Sequence, residues 1–503
     1  MELKRTNILN LSGNGTFAAS GEIFSTPADI DVLFKEIRLQ SQTHLVIYVH
    51  GGRVSEDAGR VEAGHLMDTL SQVPYGHPLF VLWESSERDI IRHELSRVEA
   101  DPLFGRLLRL LKLFLVSKLQ ASPTSVRGLS LPFASEQEVA RRSKRDLQGT
   151  PSFSEHERAT LEELTSAEEE QLGRLLWGDS DLRQSVDEIV GYLDLPGRGA
   201  DVTSTDLPLG SLTEVILEHL RAEVETEGRS VLAVFGVLAK PAIQVVSRSI
   251  IRIRTRLDHG IHCTLVEELL RVFYGGKVGQ YIWGAMKRKV HAAFANNEAR
   301  SSEALHGGTY LLEQMAAYLA DSTAPPLRVS LVGHSAGTIF LCALLDCART
   351  KLPQDFRFNQ IVFMAPAVDY ELCRRAVVEH TDRFDRFVLI ALDDAAERHD
   401  AIAGSVYPRS LLYFVSGLLD GDATVPLVGL GRYIVAAPPY EDLSIAAVRA
   451  FLDHHPAAHV IWARAKKAQK EVVLPASHAR KHGDFPRDPQ TLASVLYFLS
   501  GKS

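Results

Sequence analysis

Gly333-His334-Ser335-Ala336-Gly337 places a serine hydroxyl between two glycines, each two positions away. The pentapeptide follows an apolar run, Arg328–Val332, that reads as a buried strand, and it precedes TIFLCALLDCA, which reads as a buried helix. Strand, Gly-x-Ser-x-Gly and helix are the three parts of a nucleophile elbow. The turn is so sharp that the serine backbone is strained and its flanking residues crowd together, which leaves room only for glycine at 333 and 337. The Ser335 hydroxyl is then lifted clear of the sheet at a helix N-terminus, where unpaired N–H groups and the helix dipole favour developing negative charge. The chemistry implied is that of a nucleophilic hydroxyl, with the N–H of Ala336, the residue after it, as one donor to the negative charge that develops.

Far upstream, His44–Val49 reads as a strand running into His50-Gly51-Gly52. This turn resembles the oxyanion-hole loop of esterases and lipases, where glycines let a backbone N–H face the substrate oxygen, and Gly52 is the expected second donor. Together the two motifs resemble the α/β-hydrolase superfamily, more narrowly its esterase and lipase-like members, over about Leu45 to Trp83 and Tyr310 to the C-terminus. The elbow is specific for the superfamily and not for a substrate. The resemblance implies an α/β-hydrolase fold, a mostly parallel central sheet with helices on both faces, and a triad in the chain order Ser, acid, His.

His478 and His482 both lie in PASHARKHGDFPRDP near the end of the chain. His482 is the expected base, because His-Gly-Asp before the final helix resembles the histidine loop of such enzymes; His478 is the reserve. Strand Arg386–Leu392 ends in Asp393-Asp394, and counting strands makes Asp394 the expected acid, with Asp393 beside it. Asp422, in a D-x-x-V-P pattern, is the rival if Leu411–Val415 is a strand, but Pro408 followed by SLLYFVSGLL reads equally well as a helix. The implied mechanism is two-step ester cleavage through an acyl-enzyme, without metal or organic cofactor. Asp258, His259, His262 and Glu267 have no established ligand spacing and read as a turn and helix cap. Amide cleavage and acyl transfer by the same triad stay open, as does a non-catalytic interaction module on the same fold.

Six nearly continuous apolar runs read as strands covered on both faces: Leu45–Val49, Leu79–Trp83, Arg328–Val332, Gln360–Met364, Arg386–Leu392 and Glu471–Leu474. Leu312, Met315, Ala316 and Leu319 form one helical stripe, and Val61, Leu66, Leu70 and Val73 a looser one. Asp488-Pro489 caps a final helix through Leu499. The alternation breaks between the two core segments, 1–95 and 301–503. The intervening 96–300 is an insertion whose helices are announced by Thr160-x-x-Glu163, Ser211-x-x-Glu214 and Thr264-x-x-Glu267. Its charged stretch Arg141–Glu170 is expected to be exposed or partly disordered. Arg106, Arg109, Lys112, Arg248, Arg252 and Arg256 stand on its apolar helices; solvated arginines over packed helices are favoured, with peripheral membrane contact as a lipid-facing lid the alternative. Such a cap would shield an acyl-enzyme and shape the pocket for a small-molecule or lipid ester.

With 503 residues, 45% of them hydrophobic, the chain can bury a large core, and its net charge of -8 offers no field for nucleic acid. Four cysteines without C-x-x-C spacing point to reduced thiols and a cytoplasmic setting. The first residues lack a signal-peptide pattern, and the most apolar run, Val231–Val246, is broken by Lys240 and Pro241, so no transmembrane helix is expected.

Overall fold

The computed structural model describes residues 3–18, 24–51, 56–83, 87–120, 133–147, 152–193, 212, 215–216, 231–275, 277–298, 301, 304–421, 424–435, 440, 442–463 and 474–501. Seven strands form one sheet: β1 (Ile8–Leu11), β2 (Thr43–Val49), β3 (Gly76–Trp83), β4 (Leu327–His334), β5 (Phe358–Met364), β6 (Phe384–Leu392) and β7 (Ala458–Ala463). Their order is β1-β3-β2-β4-β5-β6-β7, and every pair is parallel. The fold class is α/β, with helices on both sides of the sheet. All seven residues of β2 are buried, as are the last six of β4 and of β6. That is the pattern of strands covered on both faces, with Val, Ile and Leu filling both sides.

The order carries a consequence for the site. β2 leads through helix Glu56–Leu70 to β3 on one side, while β4 leads through helix Gly337–Lys351 to β5 on the other, yet β2 and β4 are neighbours. Loops that leave adjacent strands in opposite directions open a crevice at the carboxyl ends of those strands, which is where open parallel sheets bind ligands. The crevice falls between Gly51 and Ser335.

The chain divides into two compact units, one of Met1–Asp89, Gly284–Asp400 and Pro426–Ser503, the other of Ile90–Trp283 and Ala401–Val425. The first contains the sheet. The second is built of helices, and beyond the long insert it takes in the short segment Ala401–Val425, which lies within the expected second core segment 301–503. Three buried arginines and two glutamates are neutralised inside it: Arg252 bonds Glu267 at 2.5 Å and Glu268 at 3.0 Å, and Arg271 also pairs with Glu268. Arg409 reaches Asp146 at 2.9 Å. Burial pushes the Glu267 carboxyl up, but Arg252 and His259 outweigh it and hold the group at about 2. Among the described residues no helix is long and apolar enough to cross a membrane.

Several local expectations need correction. The described residues of Arg141–Glu170 are mostly exposed or half-buried, as expected, and they are largely helical, through Glu136–Leu147, Glu155–Thr160 and Ser166–Gly178, with charges that pair: Arg142 bonds Glu138 at 2.8 Å and Glu157 at 2.6 Å. The capping boxes there are Ser154 with Glu157 and Thr165 with Glu168, whereas Thr160 ends a helix. Thr264 lies inside helix Ile261–Tyr274, where its hydroxyl accepts the His259 N–H; Ser211 and Glu214 lie outside the described residues. Val61 is exposed, because five residues of helix turn it about 140° from Leu66, which is buried with Leu70 and Val73. Leu411–Val415 is helical, with Ser410 as its N-cap, in agreement with the helix reading of Pro408 and the SLLYFVSGLL that follows. Of the expected strand Glu471–Leu474, only Leu474 is described, in a bend.

Candidate active site

β4 ends at His334, and the chain reverses at Ser335, whose φ is 53°. A side-chain-bearing residue enters this left-handed region at a cost of about 1–2 kcal/mol, so the surroundings must hold it there. They do. The Ser335 N–H donates to the Met364 carbonyl at 2.9 Å, and its own carbonyl accepts the Thr338 hydroxyl at 2.7 Å and the N–H groups of Thr338 and Ala367 at 3.1 Å. Helix Gly337–Lys351 begins directly afterwards with Ala336 at its N-cap, in the turn whose N–H groups have no intrahelical acceptor. Gly337 has no room for a side chain: a Cβ there would stand 2.3 Å from the Val49 carbonyl oxygen of β2.

His482 reaches this serine from the loop that precedes the last helix. Its Nε2 lies 2.7 Å from Ser335 Oγ, with both residues buried. The loop is shaped by carboxylates. Asp484 accepts the N–H groups of Arg480 at 3.1 Å and Lys481 at 3.0 Å, and Asp488 caps the final helix, Pro489–Leu499, while accepting the His478 N–H at 2.9 Å. His478 itself is exposed. Of the two histidines in this loop, it is His482 that the fold brings to the serine.

The two aspartates singled out after β6 are engaged with the short helix Asp394–His399. Asp393 is its N-cap, accepting the Ala396 N–H at 2.8 Å, and Asp394 pairs with Arg398 at 2.8 Å. The carboxylate on His482 is that of Asp400, at the other end of that helix: Asp400 Oδ2 accepts the His482 backbone N–H at 2.7 Å and is 3% exposed. Asp400 is not among the acids expected from the sequence, which lie at the end of β6 and in the D-x-x-V-P segment. The available signal was DDAAERHD, short enough for one helix of under two turns with an acid at each end.

Gly51 closes the site from β2. A Cβ on it would lie 2.8 Å from Ser335 Cβ and 3.1 Å from His334 Nδ1. The buried His50 fixes the turn: its Nε2 accepts the Trp83 N–H at 3.3 Å, so Nδ1 carries the proton and donates to the Gly51 carbonyl at 2.6 Å. Burial lowers the His50 pKa and keeps the ring neutral, as this bonding requires. Gly52 and Asp422 lie outside the described residues.

The Asp258, His259, His262 and Glu267 group is spent on internal contacts. Arg158 pairs with Asp258, His259 Nδ1 is 2.8 Å from Glu267, and His262 sits between Lys112 Nζ at 2.6 Å and the Val406 carbonyl at 2.8 Å. Among the described residues no cluster of three or more His, Cys, Asp or Glu could hold a metal ion. The basic residues on the apolar helices are occupied too, Arg109 on Asp179 and Glu136, Arg248 and Arg252 on Glu268, and Arg256 on Glu155.

No family model, curated protein or solved structure matches this chain.

Proposed function

We propose that the chain is a serine hydrolase of the α/β-hydrolase type that cleaves carboxylic esters, with Ser335 as nucleophile, His482 as general base and Asp400 as the acid. The observation that carries this reading is the 2.7 Å approach of His482 Nε2 to the hydroxyl of a serine at positive φ between a strand and a helix. Backbone strain held in place by several hydrogen bonds clusters at functional sites, and Ser335 is such a residue. His482 takes the Ser335 proton as Oγ bonds to the acyl carbon. The oxyanion forms beside the Ala336 N–H and the turn at Gly51, with the Gly52 N–H as the second donor that the His-Gly-Gly motif implies. Collapse expels the alcohol, protonated by His482, and water then hydrolyses the acyl-enzyme by the same steps in reverse. The negative charge of Asp400 beside His482 stabilises the imidazolium that each transfer creates.

Asp400 is proposed as the acid in preference to Asp394 because its carboxylate accepts the His482 N–H, and it keeps the chain order Ser, acid, His. Labelling with a fluorophosphonate tests the reading: wild type is expected to be modified at Ser335 and to cleave p-nitrophenyl esters, with graded acyl chains revealing the acyl preference. A folded wild type that takes no label and cleaves none of the esters overturns it.

A further inference from the structure

We infer that His334, the residue between Gly333 and the nucleophile, is a positioning residue that sets the Ser335–His482 distance by donating its Nε2–H to the His482 carbonyl; this rests on the triad proposed above. His334 is the last residue of β4, paired in register with Met364 of β5, and 3% exposed. Its Nε2 lies 3.0 Å from the His482 carbonyl oxygen. A carbonyl oxygen only accepts, so Nε2 must carry the hydrogen. The two imidazoles are 5.4 Å apart, and Phe485 packs 6.4 Å from the His334 ring.

The result is that both backbone groups of His482 are held by side chains, the N–H by Asp400 at 2.7 Å and the C=O by His334 at 3.0 Å. With its peptide anchored at both ends, the His482 ring keeps freedom only about its own side-chain bonds. His334 is also covalently bonded to Ser335. The end of β4 thus fixes both reacting partners at once, the serine through the peptide bond and the histidine through one hydrogen bond. A histidine filling space in the core would not need to place a donor on the carbonyl of the very residue that activates its neighbour. Misplacing a reacting pair by about 1 Å costs on the order of 10²-fold in rate, so this tie is worth holding.

His334→Gln and His334→Met have nearly equal shape and differ in the donor. The full chain carrying each is compared with wild type by the second-order rate of fluorophosphonate labelling at Ser335, by hydrogen exchange of peptides covering 476–488, and by melting temperature. The expected result is about 10- to 100-fold slower labelling and faster loop exchange in His334→Met, with most of both restored in His334→Gln and melting temperatures close to one another. If His334→Met does not fold, His334→Phe is read in its place. Labelling of the donor-less variant at the wild-type rate, or equal loss in His334→Gln, overturns the inference while leaving the hydrolase reading intact. Unlabelled wild type overturns both, and is recognised because it precedes any comparison of variants.

Discussion

At the scale of single residues, the proposed chemistry depends on Ser335 just after β4, His482 in the loop before the last helix, and Asp400 at the C-terminal end of the helix after β6. Ser335→Ala and His482→Ala are each expected to lower ester turnover by about 10⁴ to 10⁶ with the fold retained, as loss of a triad member does. His478→Ala is expected to stay near wild type, since its side chain is exposed. Asp400→Asn is the sharper comparison. An amide keeps the size of the group and can still accept the His482 N–H, but it cannot stabilise an imidazolium, so turnover falls by about 10⁴, whereas Asp394→Asn loses a surface pair with Arg398 and changes turnover little. Turnover of both variants on one ester, with circular dichroism as the check on folding, decides the acid; a large loss at Asp394 with normal Asp400→Asn returns the role to Asp394.

At the scale of elements, the turn at Ser335 is a close-packing device between β2, β4 and the helix that begins at Gly337. Gly337→Ala would drive a methyl into the Val49 and His50 carbonyls, at 2.3 Å and 2.7 Å, and these atoms belong to backbone that cannot swing aside. The expected cost is about 3 kcal/mol, at the upper end for overpacking, read as a fall in the denaturation midpoint. A variant as stable as wild type would show that the helix start can shift and that the fit is loose. The five strands legible as apolar runs are the five in the middle of the sheet, β2 through β6, because burial on both faces leaves little choice but Val, Ile, Leu and Phe. β1 and β7 escaped notice and are the two edges. β1 has only four residues and carries Asn10, whose N–H is taken by the Ser25 hydroxyl at 2.9 Å, and β7 is only partly buried. Edge strands face a neighbour on one side only, and their short, mixed composition erases the signal.

At the scale of the whole molecule, buried ionisable groups tie stability to pH in both compact units. His44, in β2, bonds the Ser330 hydroxyl at 2.7 Å, and burial with Arg328 nearby lowers its pKa to about 4. His262, in the helical unit, is brought down to about 3 by burial and by Lys112. Both folded values lie below the ordinary 6.5, so the unfolded chain binds the proton first. Their contribution is full above about pH 6.5 and is lost as pH falls toward 4 for His44 and 3 for His262. Glu267, held at about 2 in the fold, adds a loss of the same sign below its ordinary 4.5. Chemical denaturation between pH 7 and 4.5 is expected to show stability falling with acid, and His44→Gln should flatten the slope by up to about 1.4 kcal/mol per pH unit. An unchanged slope would show that His44 is protonated in the folded protein.

The sequence by itself determined the local features that depend on neighbours along the chain: the tight turn at Ser335 between a strand and a helix, the parallel strands buried on both faces, and the histidine pair before a capped helix. Each of these is written in consecutive residues, because a sharp turn, a covered strand and a helix cap are local demands on residue type. The tertiary structure decided what depends on residues far apart. It put His482 rather than His478 within 2.7 Å of the serine, placed Asp400 and not Asp394 on the His482 backbone, and turned a stretch of unpaired-looking charge, Arg141 to Glu170, into paired helices. A carboxylate's partner is chosen by distance in space, and the seven positions that separate Asp393 from Asp400 are spanned by one short helix with Asp393 at its N-cap and Asp400 at its C-cap. Position along a chain limits which groups can meet; only packing selects among them.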